Sequence, residues 1–132
     1  MLKIPFDQYL KDLASFTWTF IHRRFCTADL NPVLVKADPA LLYSVSITPI
    51  SGITGELFLK FHNTSVAPVG GSTPVVKVFK IPTSANPTPL YFEFNNPILF
   101  DKGLAYTVTK GILDDNTTPA VASDAIIEIG YR

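Results

Sequence analysis

Short runs in which apolar and polar residues alternate constrain the fold of this chain most strongly. From residue 15 onward, Phe16, Trp18 and Phe20 fall on one face of an extended chain, and residues 22–24 mark the end of the run. A period of two is the signature of a half-buried strand. Seven further runs predict strands at residues 33–37, 42–48, 56–62, 75–81, 90–94, 104–110 and 125–131.

Proline punctuates these runs. The chain has eleven prolines, most of them between the predicted strands, where the missing N–H does not interrupt a β ladder. No helical pattern separates the strands, which argues against βαβ units. We therefore expect residues 15–132 to form a single all-β domain, an antiparallel β-sandwich or jelly roll of about eight strands.

The first residues carry the one helical pattern. The segment PFDQYLKDL spaces its apolar side chains as on a helix face and begins with a proline suited to a first turn. Residues 1–14 are thus predicted to form a short helix or arm, which must pack on its own domain or on a neighbouring subunit because so short a helix is marginal in water. The candidate partner contacts in this arm are Phe6, Tyr9, Leu10 and Leu13.

The composition favours contact with other proteins. Apolar residues make up 47% of the chain and charged residues 17%, and the mean hydropathy is +0.26. This is apolar for a small soluble monomer, so part of the surface is expected to meet another chain. The alternative is a well-packed monomer rich in β-branched and aromatic residues. Eleven basic residues balance eleven acidic ones. Without a cationic field to attract phosphates, nucleic acid is not an expected partner.

Targeting signals and disulfides are not expected. A single cysteine, Cys26, cannot form an intramolecular disulfide and is interpreted as a small buried hydrophobic residue. The N-terminal residues resemble neither a secretory signal nor a membrane span. We expect a protein made in a cytoplasm that has no membrane partner.

Catalytic and metal-binding patterns are weak. The two histidines, His22 and His62, both end predicted strands, where an imidazole more often caps the chain or faces solvent than serves a nucleophile. The group Asp114, Asp115 and Asn116 has oxygen ligands, but it lacks the spacing and closing glutamate of an EF-hand. A solvated turn is the favoured interpretation, and ion binding by this loop stays open. We predict no enzyme, no catalytic residue and no cofactor.

The longest irregular segments, residues 63–74 and 113–123, are candidate contact loops because binding commonly resides in loops. Most aromatic residues, including Phe20, Phe92 and Phe94, are assigned to the core by their strand periodicity. Tyr91 and Tyr131 are the aromatic residues considered for a ligand face. The candidate partner contacts in the two loops are Val69, Asp114, Asp115 and Asn116.

Three segments, in order, carry a family resemblance. They are VKADPALLYSVSIT, FLKFHNTSVAPVGGSTPVVKVFKIP and ILFDKGLAYTVTKGILDDNTTPAVASDAIIEIGYR, and the resemblance covers about residues 35–131. This order of segments resembles a family of small structural proteins of tailed bacteriophages. The resemblance implies a compact β-sandwich and a non-enzymatic virion component, with no active site to transfer. The first 34 residues depart from the pattern.

The leading hypothesis is a capsid decoration or cement protein that binds the major capsid protein of the assembled shell. By analogy with shell-decorating proteins at threefold positions, we expect a homotrimer, made in the bacterial cytoplasm and located in the virion. One alternative is a tail, baseplate or fibre component. Another is a carbohydrate-binding β-sandwich in which Trp18 or Tyr91 stacks on sugar.

Overall fold

The computed structural model describes residues 20–25, 32–49, 56–81, 88–113, 116 and 125–132. The predicted helix in residues 1–14, Cys26, Asp114 and Asp115 lie outside these residues, as does the first part of the strand predicted from residue 15. The elements, in chain order, are β1 (Phe20–Phe25), β2 (Val33–Lys36), β3 (Ala40–Pro49), β4 (Leu57–Asn63), β5 (Lys77–Ile81), β6 (Leu90–Phe100), β7 (Leu104–Thr109) and β8 (Ala125–Tyr131).

The eight strands form two four-stranded sheets. Sheet A has the order β1-β8-β3-β6 and sheet B the order β2-β7-β4-β5, with every neighbouring pair antiparallel. The first strand pairs with the eighth, the second with the seventh, the third with the sixth and the fourth with the fifth. The chain is therefore one long antiparallel ribbon, and the additional pairs β3–β8 and β4–β7 close it into two sheets.

The described residues are all-β, as predicted, and the two sheets share one hydrophobic core. Phe61 of β4 is fully buried, and its ring lies 5.9 Å from that of Phe79, 6.3 Å from that of Phe100 and 6.3 Å from that of Tyr106. Phe100 belongs to sheet A and the other three rings to sheet B, so aromatic contacts join the sheets. The remaining large core residues include Leu42, Val45, Ile47, Ile127 and Ile129 of sheet A and Leu57, Leu59, Ile81, Leu104 and Val108 of sheet B.

Strands β4 and β7 are buried on both faces. Alternate residues of β4 face the core, and those between them, which include Lys60 and His62, lie on the outer face of sheet B, directed away from the core. Lys60 is 1% exposed and His62 2% exposed. The sequence pattern predicts half-buried strands, but at these positions the outer face is covered as well.

Strand β1 extends further than the sequence predicts. His22, Arg23 and Arg24 were expected to follow the first strand, yet they lie inside β1, where Phe20 pairs with Tyr131 and Phe25 with Ile126. The physical reason is the continuous ladder with β8, which supplies a pairing partner to each of these residues.

Strand β6 also extends further, through a proline. Pro97 was expected to separate strands, but it lies within β6 on the edge of sheet A. In the β3–β6 ladder, Leu42 pairs with Ile98 and Ser44 with Glu93, so residues 94–97 bulge opposite Tyr43. Edge strands and bulges tolerate proline because no partner requires its N–H.

The turn from β6 to β7 is held by the end of β4. Asn63 Nδ2 donates to Asp101 Oδ1 at 2.5 Å, and Asn63 Oδ1 accepts from Lys102 N at 2.9 Å and Gly103 N at 3.4 Å. Thr64 N donates to Gly103 O at 3.1 Å. These bonds lock the point where the chain passes from sheet A to sheet B.

Candidate interaction surfaces

The β4–β5 loop, residues 64–76, presents apolar side chains on a hydrogen-bonded frame. Val69 O accepts from Ser72 N at 3.1 Å and Thr73 N at 3.0 Å, and Val69 N donates to Thr73 Oγ1 at 2.8 Å. Gly71 has a φ of 78°, which a glycine adopts at little cost. The Val69 side chain, a predicted partner contact, is 62% exposed and is accompanied by Val66 at 65%.

His62 anchors the far end of this loop to sheet B. Its Nδ1 lies 3.0 Å from Pro74 O and its Nε2 lies 2.8 Å from Thr107 Oγ1. Because a carbonyl can only accept, Nδ1 carries the proton, and in the neutral ring Nε2 accepts from the Thr107 hydroxyl. His62 was expected to cap a strand end or face solvent; it is instead a buried brace for the loop.

Lys60, two residues before His62 on the same face of β4, anchors a second segment. Its Nζ donates to Leu113 O at 2.5 Å, in the segment that follows β7. Asn116 N donates to the same carbonyl at 3.0 Å, and Asn116 Oδ1 accepts from Gly111 N at 3.1 Å. Asn116, a predicted partner contact, therefore supports the loop with its side chain, while the neighbouring Asp114 and Asp115 lie outside the described residues.

The two anchored segments expose several apolar side chains. Besides Val66 and Val69, Val76 is 51% exposed in the first segment, and Ile112 and Leu113 are 58% and 68% exposed in the second. We call this set of five residues the loop surface. Its anchors, Lys60 and His62, were missed by sequence reasoning. The available signal was that these two polar residues alternate with the apolar Leu59 and Phe61 in FLKFHN.

His22 links the edge strand β1 to sheet B. Its Nε2 lies 2.9 Å from the hydroxyl of the buried Tyr106, and the two rings meet edge to face at 5.5 Å. Burial lowers the pKa of His22 below its ordinary value of 6.5, and the charge of Arg24 lowers it further. The neutral imidazole is thus the form that suits this site, and the pair acts as a packing and hydrogen-bonding contact.

The outer face of sheet A is exposed along the edge strand β6. Tyr91 is 62% exposed and Leu99 63% exposed, and at the opposite edge Ile21 of β1 is 71% exposed. On the adjacent strand β3, the same face carries the small side chains of Ser44 and Ser46, which pair with Glu93 and Tyr91, respectively. Tyr91, which the sequence analysis considered for a ligand face, is therefore accessible on the outer face of sheet A.

Three aromatic residues differ from their predictions, two in how exposed they are and one in the face of the sheet that it occupies. Phe20 and Phe92, assigned to the core, are 59% and 38% exposed. Both point to the core side but lie on edge strands, where nothing among the described residues continues the sheet. Tyr131, considered for a ligand face, instead packs against the core, with its ring 5.8 Å from that of Phe20.

No protein-family model, curated protein or solved structure matches this chain. In the part of the chain that the structure describes, no three His, Cys, Asp or Glu side chains cluster as metal ligands. The same residues contain no helix with the length and apolar character needed to cross a membrane.

Proposed function

We propose that this chain is a non-enzymatic structural protein of a tailed-bacteriophage virion, which decorates the assembled shell by binding the major capsid protein. The observation that carries the proposal is the loop surface, in which apolar side chains are exposed on segments braced by Lys60 and His62. Braced loops lose little conformational entropy on binding, which favours a lasting contact.

The strand order supports a viral structural role. A ribbon in which strand one pairs with eight, two with seven, three with six and four with five is the winding of a jelly roll. We infer that this sandwich is a jelly roll, an architecture that recurs in viral capsid and lectin domains. Since a fold alone does not define a function, the proposal depends on the loop surface as well.

The composition and the sequence resemblance point the same way. Zero formal net charge and a low charged fraction suit an apolar protein contact better than an electrostatic one. The order of segments in residues 35–131 resembles phage structural proteins. We propose synthesis in the bacterial cytoplasm, residence in the virion and a homotrimer on the shell, the last by analogy with decorating proteins at threefold positions.

Quantitative mass spectrometry of purified particles tests the proposal. A shell coat is expected at hundreds of copies per particle, and a tail, baseplate or fibre part at a small multiple of three or six. Particles that lack the protein would refute a virion role of either kind.

The contact surface is tested by charge insertion. Val69→Asp is expected to lower occupancy on stripped particles by about tenfold, because it places a charge within a desolvated apolar contact. Thr88→Asp adds the same charge at an exposed position outside the loop surface and serves as the matched control. Equal occupancy of the two variants would exclude Val69 from the interface.

A carbohydrate-binding module is the second candidate, favoured by the exposure of Tyr91 on the outer face of sheet A. Aromatic rings on such faces can stack on sugars, and lectins use jelly rolls. A glycan array in which the protein binds no sugar, or binds equally after Tyr91→Ala, would dismiss this candidate.

A further inference from the structure

Strand β6 is a long edge with an open apolar side. It spans Leu90–Phe100, and among the described residues β3 is its only strand neighbour. Alternate residues of an edge strand direct their N–H and C=O groups away from the sheet, where another strand can pair with them. The first half, LYFEF, contains three strong strand formers, Tyr91, Phe92 and Phe94, and a single charge, Glu93.

Two aromatic side chains in this half of β6 remain exposed. Phe92 pairs with Val45 and packs its ring 5.1 Å from that of Phe79, so it faces the core side of sheet A. It nevertheless remains 38% exposed, and Tyr91 on the outer face is 62% exposed. A strand added beside β6 would cover both.

The sequence of this half is complementary to itself. We propose that two copies of the chain pair antiparallel through β6, with the two-fold axis at Phe92. In this register Tyr91 lies opposite Glu93 of the other copy on the outer face, where the phenol can donate to the carboxylate. On the core side, Phe92 meets its own counterpart and Leu90 meets Phe94, and sheet A becomes continuous across the two copies.

Other registers are disfavoured by named residues. An axis shifted by one residue to Glu93 places the two Glu93 carboxylates opposite each other, which costs free energy. An axis at Tyr91 brings Pro89 into the ladder, where it has no N–H to donate. An axis between two residues joins the core side of one sheet to the outer side of the other. The bulge at residues 94–97 ends the pairing beyond Phe94.

Sedimentation equilibrium tests the association of the isolated protein. The expected mass of the free protein is twice the 14.5 kDa of the chain. A mass of three chains would instead agree with the trimer proposed on the shell and would contradict the pairing through β6. Tyr91→Glu sets two pairs of carboxylates against each other and is expected to raise the dimer dissociation constant by roughly 2- to 30-fold. The exchange Y91E/E93Y recreates both Tyr–Glu pairs and is expected to restore association. A monomer, or a variant series without loss and rescue, overturns the proposal.

Disulfide trapping tests the register independently. All variants carry Cys26→Ser. Two copies that both carry Tyr91→Cys place their new cysteines diagonally across the strand pair, about 7–8 Å apart, and two copies that both carry Glu93→Cys do the same. This distance is beyond the reach of a disulfide. Mixed together, the two variants place their new cysteines opposite each other and are expected to cross-link as a heterodimer. Self-linking of either variant, or no mixed product, contradicts the two-fold at Phe92. Both tests use the free protein, so their outcome is separate from that of the particle experiments.

Discussion

Gly103 is expected to be the least replaceable glycine in the described part of the chain. A Cβ built at this position overlaps Thr64 O and lies 2.6 Å from Lys36 O, so backbone from two other segments occupies the space. The φ of Gly103 is not positive, so the constraint is the close approach of backbone and not left-handed geometry. Gly103→Ala must push apart the segments that meet at the β6–β7 turn.

The cost of Gly103→Ala can be assembled from three effects. Overpacking against backbone costs about 1–3 kcal/mol. Displacing the turn weakens the Thr64 N to Gly103 O bond, which adds about 0.5–1.5 kcal/mol. In the opposite direction, alanine lowers the conformational entropy of the unfolded chain, which stabilises the folded state by about 0.4–1 kcal/mol. The free energy of unfolding is therefore expected to fall by about 0.5–4 kcal/mol, and the middle of this range is a large part of the stability of a small domain.

Urea unfolding followed by far-ultraviolet circular dichroism measures this loss. With a slope of about 1–3 kcal/mol per molar urea, the midpoint is expected to move by about 1 M at an unchanged slope. Lys102→Ala, at the exposed neighbouring position, is the control and is expected to stay within about 0.5 kcal/mol of the parent. A Gly103→Ala protein as stable as this control would refute the close-approach reasoning.

Three further changes have defined outcomes. Asn63→Ala is expected to cost about 1–2 kcal/mol in urea unfolding because it removes three turn hydrogen bonds, and Asp101→Ala, which removes one, is expected to cost less. Phe61→Ala is expected to lower the free energy of unfolding by about 3–5 kcal/mol, and Phe61→Leu by less, since Phe61 joins both sheets. The folded-state pKa of His22 lies below its unfolded value of 6.5, so its contribution is complete above about pH 6.5 and is lost as the pH falls below it. Between pH 7.5 and 5 the parent is expected to lose more in Tm than His22→Gln; equal losses would contradict this.

Strand positions could be predicted because their signal is local. The last strand was expected at residues 125–131 and spans Ala125–Tyr131, since alternation and flanking turn residues define it. Strand β6 was predicted too short because its bulge places Asn95, Asn96 and Pro97 inside the strand, and these residues normally signal a turn. Only the pairing with β3 shows that the strand continues.

Burial on the second face of β4 could not be predicted in the same way. Lys60 bonds to a backbone carbonyl 53 residues away in the sequence. His62 bonds to a backbone carbonyl 12 residues away and to a side chain 45 residues away. Periodicity reports which residues share a face, not what later covers that face. For the same reason Phe92 was placed correctly toward the core side, while its exposure depends on its position at the sheet edge.

The ribbon also has a consequence for how the protein matures on the ribosome. Strand β8 is synthesised after the other seven, yet it lies between β1 and β3, and Phe20 must find Tyr131 across nearly the whole chain. Until β8 leaves the exit tunnel, β1 has no ladder partner among the described strands, so sheet A cannot close before β8 has emerged. Such distant pairing is slow, because loop-closure entropy is lost before contacts compensate for it. Nascent chains consequently pass through a stage in which the edge of β3 is open to other proteins.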